Sequence, residues 1–144
     1  PAAVVRPESE EEVAAIVRLA REHGIPVTPR GGGHSLSFGG AVPLNTGGVV
    51  LDLSRKLNRI ILEIDPETDG TATVEAGVTL DLNRALAAKG LFLPLDPGSG
   101  IPGTVGGAIA TNAGGYGSEK YGLTRDNVLG LEVVLADGEV VRLS

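Results

Sequence analysis

Residues Arg30 to Gly40 read Arg-Gly-Gly-Gly-His-Ser-Leu-Ser-Phe-Gly-Gly, and the chemistry of the chain centres on them. Three consecutive glycines, Gly31, Gly32 and Gly33, strip one turn of side chains. Its backbone N–H groups can then converge on an anion without steric cost. Arg30 adds a permanent charge and a planar fork of donors beside that turn. His34 and Ser35 add groups that donate or accept. A flexible surface loop is the alternative for any lone triple glycine. A second glycine-rich region, Gly98–Gly107, lies far downstream, and the pair argues for a site.

Within that second region, Gly98-Ser99-Gly100-Ile101-Pro102-Gly103 matches G-x-G-x-x-G letter for letter. The dinucleotide fingerprint needs a buried strand before it and a long helix after it. Here Leu93-Pro94-Leu95-Asp96-Pro97 precedes it, and two prolines argue against a central strand. Pro102 falls inside the motif and the helical stretch beyond is short. The match is a decoy.

The elements that must position these loops follow from periodicity. Ala3–Arg6 is a short edge strand before Pro7. Ser9 opens a helix, with Glu12 completing a capping box and Glu10 and Glu11 at the positive helix end. Val13, Ile16, Val17 and Ala20 form its apolar stripe, and Gly24 and Pro26 end it. His23 complements the dipole at that end. Val27–Arg30 is the next strand, so the opening is a parallel strand–helix–strand crossover. The glycine loop leaves the carboxyl end of its second strand, where open parallel sheets bind ligands.

Strands follow at Val49–Leu53, Leu57–Ile64 and Thr71–Glu75, the last two joined by a turn at Pro66–Gly70. Thr79 caps a helix running to Lys89, with Leu82, Ala85 and Leu86 buried and Gly90 as its stop. Thr104 opens a short helix through Thr111. Asn112–Gly122 is a loop. Val128–Ala136 and Glu139–Leu143 are strands joined at Asp137-Gly138. The order is α+β, one parallel unit followed by mostly antiparallel strands. Two subdomains are expected, about 1–53 and 54–144.

Composition bounds the function. The 144 residues suit one domain, and 42% hydrophobic content supplies a core. The net charge of −6 argues against a nucleic-acid partner. No apolar run approaches the roughly 20 residues that span a bilayer, and no signal-peptide pattern is visible, so a soluble, cytoplasmic protein is expected. Cysteine is absent, which removes disulfides and thiolate metal sites. Asp52, Asp65 and Asp81 read as turn or cap residues rather than a metal cluster, and Arg125–Asp126 as a local ion pair or turn bond. Methionine and tryptophan are also absent and the chain starts at Pro1, the composition of an excised, consensus-like or designed domain.

Four ordered blocks carry a family resemblance over nearly the whole chain. They are Pro29-Arg30-Gly31-Gly32-Gly33-His34-Ser35-Leu36-Ser37, Val74-Glu75-Ala76-Gly77-Val78, Gly106-Gly107-Ala108-Ile109-Ala110-Thr111-Asn112-Ala113-Gly114-Gly115, and Lys120-Tyr121-Gly122-Leu123-Thr124-Arg125-Asp126-Asn127-Val128. The chain resembles FAD-linked oxidases with a PCMH-type (vanillyl-alcohol oxidase / p-cresol methylhydroxylase-like) FAD-binding domain, closest to D-lactate and glycolate dehydrogenases. The resemblance implies a small parallel subdomain followed by a larger, mainly antiparallel one, without the family's substrate domain and stopping before the usual end of its cofactor domain.

It also implies FAD as cofactor, with the diphosphate on Gly31–Ser35 beside Arg30. Pro97, Gly98, Ser99 and Thr104 would follow the ribityl chain and flavin ring. Gly106 and Gly107 would allow close backbone approach, and Thr111, Asn112, Gly114, Gly115 and Gly117 would continue that wall. Tyr116 and Tyr121 either border the cofactor or pack ordinarily. In several branches a histidine in the Gly-Gly-His-Ser context is bonded to the flavin 8α-carbon, which makes His34 the candidate attachment point. Lactate and glycolate types often carry threonine there and hold FAD without a bond, so both modes stay open.

No residue stands out as a substrate base, so turnover of a specific substrate is not expected from this chain alone. The expected function is an FAD-binding module of an FAD-linked oxidoreductase. The alternatives are a folded scaffold that binds no flavin and a self-sufficient small oxidase. An exposed sheet edge makes a homodimer the expected assembly.

Overall fold

A computed structural model describes residues 1–36, 42–44, 46–61, 70–98 and 102–144. Strands β1 (Ala3–Val5), β2 (Val27–Arg30) and β3 (Val49–Asp52) form a parallel sheet in the order β1-β3-β2. The crossover expected from sequence therefore skips one position, and β3 enters between its two strands. Burial explains the order. Val50, Leu51 and Asp52 are each no more than 5% exposed, as a strand covered on both faces requires. Pro29 has no N–H for a ladder and sits on β2, an edge strand.

Helix α1 (Glu10–Glu22) links β1 to β2. The Ser9 hydroxyl accepts from the Glu12 amide at 3.2 Å, as the capping box predicts. The return bond is shifted by one residue, since the Glu12 carboxylate accepts from the Glu8 amide at 2.8 Å. Val13, Ala14 and Ala20 are buried, while Ile16 and Val17 are half-buried. Gly24 ends the helix region at φ +63°.

The row where β1, β3 and β2 end is charged. The Asp52 carboxylate accepts from Arg6 Nε at 3.1 Å, and from the Ser54 hydroxyl and amide at 2.6 and 3.1 Å. Asp52 is thus the turn residue expected from sequence and also a buried ion-pair partner. Burial pushes its carboxyl up. The Ser54 and Arg6 hydrogen bonds outweigh burial and hold it below the ordinary value. A depressed folded-state pKa contributes stability above the unfolded value near 4, and that contribution disappears as pH falls through the folded value. Asp52→Asn should cost about 1–3 kcal/mol in urea unfolding at pH 7. The gap from the parent chain should close progressively below about pH 4. A gap that stays constant down to pH 2 would show that the charge of Asp52 contributes nothing.

The second half has its own core. Val78, Leu80, Leu82, Leu86 and Val105 pack together, with Val74, Leu91, Leu93 and Ile109 around them. Strands β4 (Ile60–Ile61) and β5 (Thr73–Val74) pair antiparallel; β4 starts at Ile60 rather than Leu57, and β5 is shorter than the strand read from sequence. Residues 62–69, with Asp65 and most of the expected turn, lie outside the described residues. Helix α2 (Leu82–Ala87) begins after Asp81 rather than at Thr79, because Thr79 bridges Thr104 as extended backbone. Asp81 makes no side-chain capping bond and pairs with Arg84 at 3.2 Å.

Helix α3 (Val105–Thr111) is capped by Thr104, as expected. The stretch read as loop holds a short helix, α4 (Ser118–Tyr121), after Gly117. Glycines hide it, because their poor helix propensity is overridden by local bonds, here from the Lys120 and Tyr121 amides to the Gly117 carbonyl. Thr124–Asn127 forms a 3-10 turn. Strands β6 (Leu131–Val134) and β7 (Val140–Leu143) close an antiparallel hairpin, with Gly138 at φ +82° in its turn. The hairpin reaches back to α1, where Arg18 donates to the Gly138 carbonyl at 2.8 Å.

Candidate functional site

The Gly31–Gly33 turn leaves the carboxyl end of β2, and each glycine is fixed by a different neighbour. Gly33 has φ +78°, a conformation glycine adopts at little cost. A Cβ there would overlap the Arg30 guanidinium, lying 2.7 Å from its Cζ. Arg30 therefore folds over the turn, with Nη1 3.4 Å from the Gly31 carbonyl. A Cβ on Gly32 would overlap the Pro102 carbonyl oxygen and lie 3.2 Å from its carbon. A Cβ on Gly31 would overlap the Thr104 hydroxyl. The two glycine regions, some seventy residues apart, are thus packed together, Gly32 against the Pro102 backbone and Gly31 against the Thr104 side chain.

Thr104 links them. It is 3% exposed, and its hydroxyl accepts from the Gly107 amide at 3.1 Å while lying against Gly31. The peptide chain around it is locked to the second core. The Leu80 amide donates to the Gly103 carbonyl at 2.9 Å and the Val105 amide to the Val78 carbonyl at 2.8 Å. The Gly106 amide donates to the Ala76 carbonyl at 2.9 Å, and a Cβ on Gly106 would be 2.7 Å from that of Ala76. Gly106 is small for the sake of the Ala76 contact.

At the other end of α3, about 10 Å away by helical rise, lies the second half of the expected wall. Asn112 takes the left-handed conformation at φ 47°, and its side-chain oxygen accepts from the Arg125 amide at 3.0 Å. The Thr111 hydroxyl donates to the Gly107 carbonyl at 3.0 Å. A Cβ on Gly115 would overlap the Asp96 carbonyl, which brings 112–117 onto the Asp96–Pro97 peptide. Gly114 faces Leu123 and Gly117 faces the Tyr121 ring. Gly98 meets nothing within 4 Å. Ser99 lies outside the described residues. Residues 91–97 form no strand and α3 has seven residues, which is not the setting of a dinucleotide fingerprint.

His34 is exposed and Ser35 half-buried. The His34 ring sits against the turn, its Nδ1 2.9 Å from where a Gly32 Cβ would be. Tyr116 is 91% exposed. Tyr121 makes an edge-to-face contact with Phe92 at 5.6 Å. Arg125 and Asp126 approach at 3.7 Å, and Asp126 also accepts from the Leu123 amide at 2.7 Å. Among the described residues no carboxylate forms an ion pair with Arg30, and no group of three or more His, Cys, Asp or Glu could hold a metal ion. No described helix is long and apolar enough to cross a membrane.

Sequence reasoning missed Arg6 and Ala76. Arg6 is 46 residues from Asp52, and no local pattern announces such a pair. Ala76 lay within a recognised block, but its smallness matters only once Gly106 is known to face it.

The arrangement fits the diphosphate of a dinucleotide cofactor. A side-chain-free turn is braced by the Pro102 carbonyl and the Thr104 hydroxyl and flanked by the Arg30 guanidinium, a setting in which backbone amides can meet an anion. Thr104, Gly106 and Gly107 hold the adjoining backbone in place.

Comparisons with known proteins agree. The family model described as "FAD binding domain" matches residues 1–144. The chain is 50% identical over 143 residues to the glycolate oxidase subunit GlcD of Bacillus subtilis, covering 99% of this chain and 29% of that protein. It is 48% identical over 141 residues to a D-lactate dehydrogenase of Archaeoglobus fulgidus, covering 97% and 30%. Its fold superposes on berberine bridge enzyme with a TM-score of 0.81 at 34% identity, covering 96% of this chain and 27% of that one. The chain thus spans just under a third of the length of these relatives. With the PCMH-type fold and the braced glycine turn, these matches show that the chain belongs to the FAD-binding domain family of FAD-linked oxidoreductases.

Proposed function

We propose that the FAD diphosphate rests on the Gly31–Ser35 amides beside Arg30. The ribityl chain and flavin ring run along Pro97–Gly107, and 111–117 holds that segment from behind. The observation that carries this reading is the Gly32 contact with Pro102, which brings the two glycine regions to one place. When bound, the flavin supplies hydride-accepting chemistry. The chain's own contribution is to bind, orient and brace, and it assigns no substrate base. Residues 1–53 and 54–144 act as two units that meet at this contact. The names of the relatives, glycolate oxidase and D-lactate dehydrogenase, support oxidation of a 2-hydroxy acid by the whole protein. A cytoplasmic location and a homodimer paired through a sheet edge complete the proposal. Among the described residues both β1 and β2 have an unpaired side in the parallel sheet.

Attachment is noncovalent in this reading, with the His34 imidazole lining the anion turn. The test is a visible spectrum after mixing with FAD and desalting, repeated on the acid-precipitated pellet. Flavin that stays with folded protein and leaves the pellet is the expected result. Flavin retained in the pellet would make His34 the attachment point. A colourless protein whose melting ignores added FAD would overturn the binding proposal in favour of a flavin-free scaffold.

A further inference from the structure

Three charged residues share one row at the carboxyl ends of the parallel strands. Asp52 closes the central strand and is 4% exposed. Arg30 is its in-register neighbour on β2, and Arg6 follows Val5, which is in register with Leu51 on β1. Neighbouring strands are about 4.8 Å apart, and in-register side chains of parallel strands leave the sheet on the same face. One buried carboxylate therefore stands between two guanidiniums, and both could reach it.

The hydrogen bonds show which cation holds it. Arg6 Nε donates to Asp52 Oδ2 at 3.1 Å, and Ser54 occupies Oδ1 with its hydroxyl and amide. Both carboxylate oxygens are engaged. Arg30 turns away and lies over Gly33, with Nη1 towards the Gly31 carbonyl. A buried carboxylate deprived of its partner carries a large desolvation cost. Arg30, the other guanidinium of the row, would be drawn to it.

We infer that Arg6 is a positioning residue for the anion site. By saturating Asp52 it keeps Arg30 available to the glycine turn. This rests on the reading that the turn binds the FAD diphosphate. Arg6 does not touch the turn, and its effect passes through Asp52 and Arg30.

The experiment is FAD titration by calorimetry on the 144-residue chain, with thermal melting of each variant without FAD. Arg6→Met should weaken binding roughly 10- to 100-fold, the equivalent of one charge-assisted hydrogen bond to phosphate. Asp52→Asn should leave affinity within about threefold, because no buried charge then competes for Arg30. The decisive case is Arg6→Met with Asp52→Asn, which should restore affinity to within about threefold of the parent chain.

A purely structural role for Arg6 would leave the double variant as weak as Arg6→Met, and that result overturns the inference. So does unchanged affinity in Arg6→Met itself. Should Arg6→Met fail to fold, Arg6→Gln takes its place with the same ordering at reduced amplitude, because its amide can donate to Asp52 but carries no charge to neutralise it. A parent chain that binds no FAD would defeat the underlying site assignment, and is told apart by its own titration.

Discussion

Gly32→Val should abolish measurable FAD binding, a loss of at least about 100-fold or roughly 2.7 kcal/mol. A Cβ on Gly32 would overlap the Pro102 carbonyl oxygen and lie 3.2 Å from the carbon. The obstacle is backbone, held by neighbouring bonds from Leu80 to Gly103 and from Val105 to Val78. It cannot swing aside as a side chain would. The turn must lift off 102–104, and its amides then lose their common direction. Overpacking of this kind costs about 1–3 kcal/mol of stability. The apo variant should therefore still melt cooperatively, though at a lower temperature. Calorimetric titration with FAD, alongside a melt without it, separates the two effects. Parent-like affinity in a folded Gly32→Val would remove the diphosphate from this turn.

The second large effect is on folding rather than binding. Gly115→Ala should destabilise the chain by about 3 kcal/mol, near the top of the overpacking range. Its Cβ would overlap both atoms of the Asp96 carbonyl and lie 2.9 Å from the Pro97 nitrogen. Pro97 is buried, and its ring fixes φ, so this peptide has little freedom to yield. Gly117→Ala is the matched comparison, two residues away. Its Cβ would meet only the edge of the Tyr121 ring, at 3.3 Å, and the exposed ring can move. It should cost less than about 1 kcal/mol. Urea unfolding of the two variants decides the matter. Equal stabilities would mean that the 96–97 and 112–117 segments are not in contact in solution.

Much of the local structure was legible because its causes are local. Ser9 and Glu12 announced the start of α1 through a cap that the fold keeps. Asp137-Gly138 announced the hairpin through a residue that needs positive φ. Thr104 announced α3 by the same capping chemistry as Ser9. The glycine turn was legible as a turn because three adjacent glycines lack the side chains that regular elements pack. The start of β4 and the extent of β5 were over-read, since residue composition does not say where pairing begins or ends. Helix α4 was missed because glycine statistics favour a loop, whereas the Gly117 carbonyl is in fact capped by two amides.

The sequence by itself determined the family, the α+β order and the glycine turn. Each of these depends on neighbours within a few positions or on ordered motifs. Only the tertiary structure decided that β3 enters between β1 and β2, that Gly32 backs onto Pro102, that Gly115 backs onto Asp96, and that Arg6 rather than Arg30 takes Asp52. These are contacts between segments 19 to 70 residues apart. They are set by which backbones can approach closely and which buried charge must be paired. Neither condition exists until the chain has folded.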